Sequence, residues 1–417
     1  MPELLRLHAW DLLCQWTAQP GDRVEPRLAL HLVNESAMCL PSMRARRTLS
    51  QKGFELANGL PFVPTDGAIH WLLNSRSVLD STQLQIALGK LRRADNHFSG
   101  QLLAIDPHRT VSHSKRQMRR HRFDPRQKAR KMSQTFFLLD CQTQQPICFT
   151  LASSSATAID AGKSVLELGS EILGLKQGAT SGKPLVLADK EHHGHDLFES
   201  VHQHQFFDLL VAVPARERSR KDQSAVERLE FIEHWAGYAT AQRAATFKSA
   251  PDLPLVEYIQ RSAAPGTKPY YQSFLGTCQR DGVEVLTKNY PDRWHIEEFF
   301  KSNQALGWDR SGTMNLNVRY GQMSMALLAQ AAIHQLRRRL GDPIATWDAM
   351  HIAQRFFGAL EGDVRVEHDT IVVTLYNAPN VEKIRKHYEG LPEILRGEGV
   401  QPEIPWLYGF KLDFRFK

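Results

Sequence analysis

The sequence predicts an α/β fold in which antiparallel strands come first and parallel strands follow, behind a helical leading segment. Three observations carry that prediction. Residues 1–98 repeat their apolar side chains at helical spacing. Between 101 and 213, compact apolar runs of strand length alternate with helical patterns, and several of these runs end in aspartate. From 215 to 288 the pattern becomes mostly strand-like, before two helical segments resume the longer period.

Taken in order, "PRLALHLVNESA", "MRARRTLSQKGFELANGL", "DGAIHWLLNSR" and "STQLQIALGKLRRADNHF" read as helices. Thr65-Asp66 and Asp80-Ser81 are N-cap candidates for the last two, because their side chains accept from otherwise unpaired amides. Short helices with Arg and Lys at their turns suit a helix-turn-helix unit, and a plain helical bundle reads the same way. The runs "GQLLAID", "QTFFLLD" and "PICFTLA" follow as strands, the last two joined by the hairpin-length "CQTQQ". "AIDAGKSVLELGSEILGLK" is helical, "KPLVLAD" is a strand ending in Asp189, "KEHHGHDLFESVHQHQ" is helical and "FFDLLVAVP" is a strand.

An insertion follows, with "HWAGYATAQRAATF", "PLVEYIQRSA", "PYYQSFLGT" and "EVLTKNY" as strands. The helices "DRWHIEEFFKSNQALG" and "NVRYGQMSMALLAQAAIHQLRRRLG" return the chain to the α/β layout. "DVRVEHD" and "IVVTLYN" are strands, and the alternating tail "IPWLYGFKLDFRFK" either completes a sheet or docks on a partner. The expected division is a helical N-terminal domain over 1–98, an α/β core over 99–214 and 288–345, a β-rich insertion over 215–287, and a small C-terminal region over 346–417.

An apolar content of 42% fits a chain with a sizeable core. No apolar run approaches the roughly 18 residues of a membrane helix, and "MPELLRLHAWDLLCQW" has no basic flank ahead of an apolar stretch, so neither membrane insertion nor secretion is expected. The five cysteines are scattered without a CxxC pair, which gives no support to a disulfide framework or a zinc ribbon and points to a reducing cytoplasm. The net charge of +7 is local: residues 106–131 hold ten Lys or Arg against two Asp, leaving the rest near neutral. Concentrated cation of that kind is the footprint of a polyphosphate partner, although solvated basic loops also occur.

Asp106 and Asp189 end two apolar runs, and strand carboxyl ends are where α/β sheets build sites. A third carboxylate from a helix leaning across them makes an oxygen cage suited to Mg²⁺ or Mn²⁺. In "NYPDRWHIEEFFKSNQALG", the residues Tyr290, Arg293, Glu297, Lys301 and Gln304 follow one another at spacings of three and four, which puts them on one helical face. Ile296, Phe299 and Phe300 fall on an apolar flank that reads as core, and Glu298 is rotated off the stripe. An Arg–Glu–Lys set of this kind is, taken alone, most often a solvated ion-paired face.

The segment resembles the Tyr-Arg-Glu-Lys signature of bacterial insertion-sequence transposases of the DDE class. Tyr290, Arg293 and Glu297 match it, as do Trp294 and Ile296; the last Lys falls at Gln304, and Lys301 stands one turn earlier. "LVLADKE" resembles the family's second aspartate motif and "LLAID" its first, in the right order, with a β-stranded insertion before the Glu. The resemblance spans roughly residues 100–340 and implies an RNase H-like mixed-sheet core. It implies Asp106, Asp189 and Glu297 as catalytic ligands of two Mg²⁺ ions, for which Mn²⁺ substitutes. It also implies Tyr290, Arg293, Trp294 and Lys301 as DNA contacts.

The basic segment leaving the first catalytic strand adds Lys115, Arg116, Arg119, Arg120 and Arg122 as DNA contacts. The implied partners are double-stranded DNA, as transposon terminal inverted repeats and as target, and a second protomer for synapsis, in a bacterial cytoplasm at the nucleoid. Asp140 rivals Asp106 but sits where a hairpin turn favours Asp for local hydrogen bonding. His192, His193 and His195 fit no common zinc spacing. The competing readings are a domesticated relative that only binds DNA and a stand-alone RNase H-like nuclease.

Overall fold

Buried, β-rich runs flanked by amphipathic helices have one low-energy arrangement here, a sheet covered on both faces. The computed structural model describes all residues except 18–23, 41–63, 113, 116, 118–119, 122–125, 127, 153–156, 179–181, 215–219, 265 and 309–312. The helix expected over 43–60 and the basic residues Arg116, Arg119 and Arg122 lie outside the described residues. The chain divides into two compact units, one of residues 93–111 and 115–299, the other of residues 1–92, 112–114 and 300–417.

The first unit is built on β1 (Leu102–Val111), β3 (Arg130–Asp140), β4 (Gln145–Ala152), β5 (Leu185–Ala188) and β6 (Asp208–Ala212). Their order across the sheet is β4-β3-β1-β5-β6, with β1, β3 and β4 mutually antiparallel and β5 and β6 parallel to β1. That is the RNase H-like order, as expected from the sequence. A short β2 (Arg120–His121) pairs the outer end of β3.

Nine consecutive residues of β3, Met132 to Asp140, are buried, so helices cover both faces of the sheet there. On one face Phe136 packs with Ala161 of the helix Ala158–Leu173. On the other, Phe137 meets Phe149 and Phe299 with ring centroids 5.9 and 6.0 Å apart. The Ala158–Leu173 helix begins where the Thr157 side chain accepts from the Asp160 amide and ends on Gly174 in the left-handed region (φ 62°). Its close approach depends on Gly169, where a Cβ would sit 2.2 Å from Leu138 Cδ2.

The insertion contains β7 (Ile232–Trp235), β8 (Tyr238–Phe247), β9 (Ala250–Ser262) and β10 (Tyr270–Gly276), with one helix ahead of them over Arg220–Glu227. The four strands form an antiparallel meander that joins the core sheet through β10 on β6. Its fourth expected strand, "EVLTKNY", is helical instead. Asp281 caps a turn at Gly282–Glu284 through the Glu284 amide, a π-helical turn covers Val285–Asn289, and a 3₁₀ segment covers Tyr290–Trp294. A short apolar run does not reveal its period, and the Asp-x-x-Glu cap at Asp281 decides for helix.

The second unit gathers helices around one long helix, Leu316–Leu340. Gly321 admits its neighbours, since a Cβ there would lie 2.7 Å from Leu73 and 3.4 Å from Trp16. The helix Asp66–Ser75 is capped by Thr65, as the sequence predicts. The next helix, Val78–Ala94, begins two residues before the predicted Asp80 cap. Ser77 is the capping residue, and its hydroxyl accepts from the Asp80 amide while Asp80 accepts from the Ser77 amide. Cap preference alone did not separate the Ser from the Asp three residues on. The C-terminal part forms a sheet of β11 (Gly362–Glu367), β12 (Thr370–Leu375) and β13 (Lys411–Phe416), so the alternating tail completes a sheet.

Candidate active site

The parallel pairing of β1 with β5 runs from Leu102 opposite Leu185 to Ile105 opposite Ala188, and stops there. Asp106 and Asp189 are each the next residue. Matched register and a neighbour spacing of roughly 4.8 Å therefore set the two acids side by side at the carboxyl end of the sheet. Asp106 is not the end of its strand, as the apolar run implied: β1 continues to Val111 on the antiparallel partner β3 alone, with Asp106 opposite Phe137. Backbone pairing carries the polar stretch "DPHRTV", which an apolar-run criterion cannot register. At Asp189 the backbone leaves the strand into a 3₁₀ turn, and its carboxylate accepts from the Lys190 amide at 2.6 Å.

Asp140 lies at the other end of the same strand pair, opposite Leu103. It is fully buried, and both its oxygens are occupied. One accepts from the amide and hydroxyl of Thr143 at 2.9 and 3.0 Å, the other from the Ser99 hydroxyl and Gly100 amide at 2.8 and 2.7 Å. It is a turn residue, remote from the parallel-strand ends.

The third acid comes from the helix His295–Asn303. Tyr290 and Arg293 precede that helix on the 3₁₀ segment, so the stripe of five residues does not ride on one continuous α-helix. Gln304 likewise opens a further 3₁₀ turn. The local pairing survives the change of helix type: Arg293 donates to Glu297 Oε1 at 3.2 Å. Ile296 and Phe299 are fully buried, as the apolar flank predicted, whereas Phe300 is only half-buried. Glu298 instead faces His295, with 3.9 Å between Oε2 and Nε2. The Tyr290 hydroxyl donates to the Ala188 carbonyl at 3.4 Å, and its ring meets Phe274 edge-on at 4.5 Å, which ties the segment to the end of β5 beside Asp189.

The electrostatics follow from this arrangement. Burial pushes the Asp106 carboxyl up to about 7; Arg293 opposes this, and the charges of Asp189, Glu297 and Glu191 add to it. Burial works against the Arg293 charge, yet Asp106, Tyr290, Asp189 and Glu297 outweigh it and raise its pKa. Burial first, and then the Asp189 and Asp106 charges against Arg293, push the Tyr290 hydroxyl up to about 12, so it stays protonated. The site is therefore acid-rich, with Asp189, Glu297 and Glu191 acting against Arg293 on the Asp106 carboxyl. Among the described residues, no group of three or more His, Cys, Asp or Glu stands close enough together to hold a metal ion.

Two further charged residues border this pocket that sequence reasoning did not single out. Arg109 of β1 pairs with Glu191 of the 3₁₀ turn. Glu191 stands in the "LVLADKE" motif, but Arg109 carried no signal, because its partner lies on another strand end. Of the other predicted contacts, Trp294 is 49% exposed, and Lys115, Arg120 and Lys301 are exposed. His193 and His195 pack against Phe247, at ring distances of 5.4 and 6.3 Å, and His195 pairs with Asp196. Buried His192 is held neutral, its pKa lowered to about 4 by desolvation against the neighbouring acids.

A carboxylate pair at matched parallel-strand ends, joined by an acid from a helix crossing an RNase H-like sheet, defines a class of site. The match to known families agrees with it. The family model for the transposase DDE domain matches residues 97–331, more than half of the chain, and the chain belongs to that family. No curated protein matches it. Among solved structures, the chain is similar to one described as a piggyBac transposase synaptic complex with hairpin DNA. The identity is 11%, covering 82% of this chain and 81% of that one, with a TM-score of 0.39. Among the described residues, no helix is long and apolar enough to cross a membrane.

Proposed function

We propose that this chain cleaves phosphodiester bonds at the ends of a mobile DNA element and transfers the freed 3′-OH to target DNA. The observation that carries the reading is the matched register that sets Asp106 beside Asp189 at the carboxyl end of the sheet, with Arg293, paired to Glu297, as the cation that acts on Asp106. A pocket that holds acids against desolvation in this way is completed by a hard divalent cation. Asp106, Asp189 and Glu297, which do not stand within ligating distance of one another in this arrangement, would have to draw together to hold Mg²⁺, two ions in the full proposal, with Mn²⁺ able to substitute. Metal bound there would supply Lewis-acid polarisation of a phosphoryl oxygen and a more acidic attacking water.

The protein's own groups do the positioning. Glu297 fixes the Arg293 fork, which leaves its remaining donors for a phosphate oxygen. Tyr290, kept protonated and donating to the Ala188 carbonyl, anchors the Arg293 segment beside Asp189. Lys301 extends the cationic side of the segment, and half-exposed Trp294 offers a stacking face for an unpaired base. Exposed Lys115 and Arg120 belong to a segment that contacts the DNA backbone. The N-terminal helices over 1–98 take the role of end recognition, 215–287 that of the inserted β domain and 346–417 that of the C-terminal region. Two protomers act together on paired ends, in a bacterial cytoplasm at the nucleoid.

The test is an oligonucleotide carrying the element's terminal repeat, incubated with Mg²⁺ and target DNA. Cleavage with joining is expected. Binding without cleavage identifies a DNA-binding relative, and cleavage without joining identifies a nuclease. Within this assay the adjacent glutamates separate: Glu297→Gln loses cleavage, and Glu298→Gln retains it within a few-fold, at roughly the 0.5 kcal/mol level of a surface change. An inactive Glu298→Gln beside an active Glu297→Gln reverses the assignment.

Phosphate contacts also fix the salt response. With six or more such contacts, affinity falls about a thousandfold or more between 50 and 200 mM salt. Replacing Lys115 and Arg120 together with Ala reduces the logarithmic slope by about two. An unchanged slope in a filter-binding titration removes these residues from the interface.

A further inference from the structure

Backbone pairing between β1 and β5 ends at Ile105 opposite Ala188, one residue short of both acids. Beyond that point β1 runs on to Val111 beside β3, and among the described residues no strand pairs its other edge. Pro107, which has no N–H to leave unpaired, suits such an edge. The chain after Ala188 turns instead into the 3₁₀ segment Lys190–His192. Two carboxylates placed side by side repel, and the ladder that would hold them at a fixed separation has already ended. A second tie is needed on the far side of the acids.

The opposite face of the sheet supplies it. Asp106 stands opposite Phe137 and Arg109 opposite Gln134, so alternation sends Arg109 to the Phe136 face, away from Asp106. His192 is on this face too, fully buried, with its ring edge-on to Phe136 at 6.0 Å. A Cβ on Gly162 would lie 3.4 Å from His192, and a Cβ on Gly194 would lie 2.3 Å from Ile159 of the same helix. The turn is therefore seated against the helix Ala158–Leu173, and from there Glu191 pairs with Arg109. The Arg109 Nε is buried as well, so this is not one of the solvated ion pairs that contribute little.

We propose that Arg109 and Glu191 are positioning residues, a clasp that fixes the spacing of the Asp106 and Asp189 carboxylates and so their joint affinity for a divalent cation. The clasp joins the third residue past one acid to the second residue past the other, where the strand ladder no longer reaches. It rests on the reading of the site as a metal-dependent one. Neither residue touches the reacting phosphate: Arg109 lies on the face away from Asp106, and Glu191 engages its fork.

The first readout is the Mg²⁺ affinity of the full chain without DNA, by calorimetry. The second is kcat and KM for cleavage of terminal-repeat DNA. Arg109→Gln and Glu191→Gln should each weaken Mg²⁺ binding and lower kcat by about tenfold or more, the usual cost of removing a group that orients a metal ligand. KM and metal-free DNA affinity should be unchanged. The double variant should lose no more than either single one, because the same contact is removed each time. Losses that multiply overturn the clasp. So does an Arg109→Gln that weakens DNA binding and lowers its salt slope by about one while Glu191→Gln does not, which makes Arg109 a phosphate contact. Variants that merely melt earlier, with Mg²⁺ affinity and kcat unchanged below the transition, overturn it too. A wild-type chain that binds no Mg²⁺ overturns the reading of the site together with the clasp, whereas normal binding and cleavage in the variants overturn the clasp alone.

Discussion

Asp106→Asn is expected to lower Mg²⁺-dependent cleavage by about a thousandfold or more, while Asp140→Asn leaves it nearly intact. The size follows from the role: a metal-held phosphoryl group gains several kcal/mol of charge stabilisation, and each 1.36 kcal/mol is a factor of ten in rate. An amide keeps the shape of Asp106 but removes the charge that faces Arg293. Stability should respond with the opposite sign. The Asp106 pKa is raised from 3.8 to about 7. Its contribution to folding is thus fully present below about pH 4 and is lost as pH rises through about 7.

The metal-free Asp106→Asn protein should consequently melt above the wild type at pH 8, with the gap closing toward pH 4. Added Mg²⁺ should raise the wild-type melting temperature and leave the variant unmoved. Asp140→Asn should do the reverse, since an amide nitrogen facing the Thr143 or the Ser99 and Gly100 donors costs about 1–3 kcal/mol. Equal loss of cleavage in the two variants, measured below the melting temperature of each, would return Asp140 to the site and displace Asp106.

The second large effect is expected from Phe299→Ala. The Phe299 ring packs on Phe137, which packs on Phe149, so three aromatic residues fasten the Glu297 helix to β3 and β4. Both Phe137 and Phe299 are fully buried. Truncation of such a ring costs about 3–5 kcal/mol through lost transfer energy and the cavity left behind, against a total stability of roughly 5–15 kcal/mol. Cleavage should fall with it, because Glu297 lies two residues away and depends on the same anchor for its position. Phe299→Leu should recover most of both. A denaturant midpoint shifted by less than about 1 kcal/mol would show that the helix is held by something else.

Much of the α/β layout was legible because it rests on local chemistry. The strand runs before Asp106, Asp140 and Asp189 are buried, and buried strands read as continuous apolar segments. The hairpin after Asp140 declared itself through an Asp that accepts from the backbone three residues on, and Thr65 caps its helix as its place in the sequence predicts. Where the reading failed, local signals competed. "EVLTKNY" has strand-like composition but follows an Asp281 cap, and the turn types between Val285 and Trp294 are set by what they pack against. The Tyr290–Gln304 stripe predicted the Arg293–Glu297 contact correctly although three helical segments of two types carry it.

By itself the sequence determined the α/β order, the two acids that close the apolar runs of β1 and β5, and which of two adjacent glutamates shares a face with Arg293. These follow from backbone periodicity and from spacing along one segment. Only the tertiary structure decided that Asp106 and Asp189 stand in matching register, that Asp140 lies at the far end of the same strands, and that Arg109 reaches Glu191. Those relations join residues tens of positions apart. They are set by strand pairing and burial across the sheet, which no window along the chain contains.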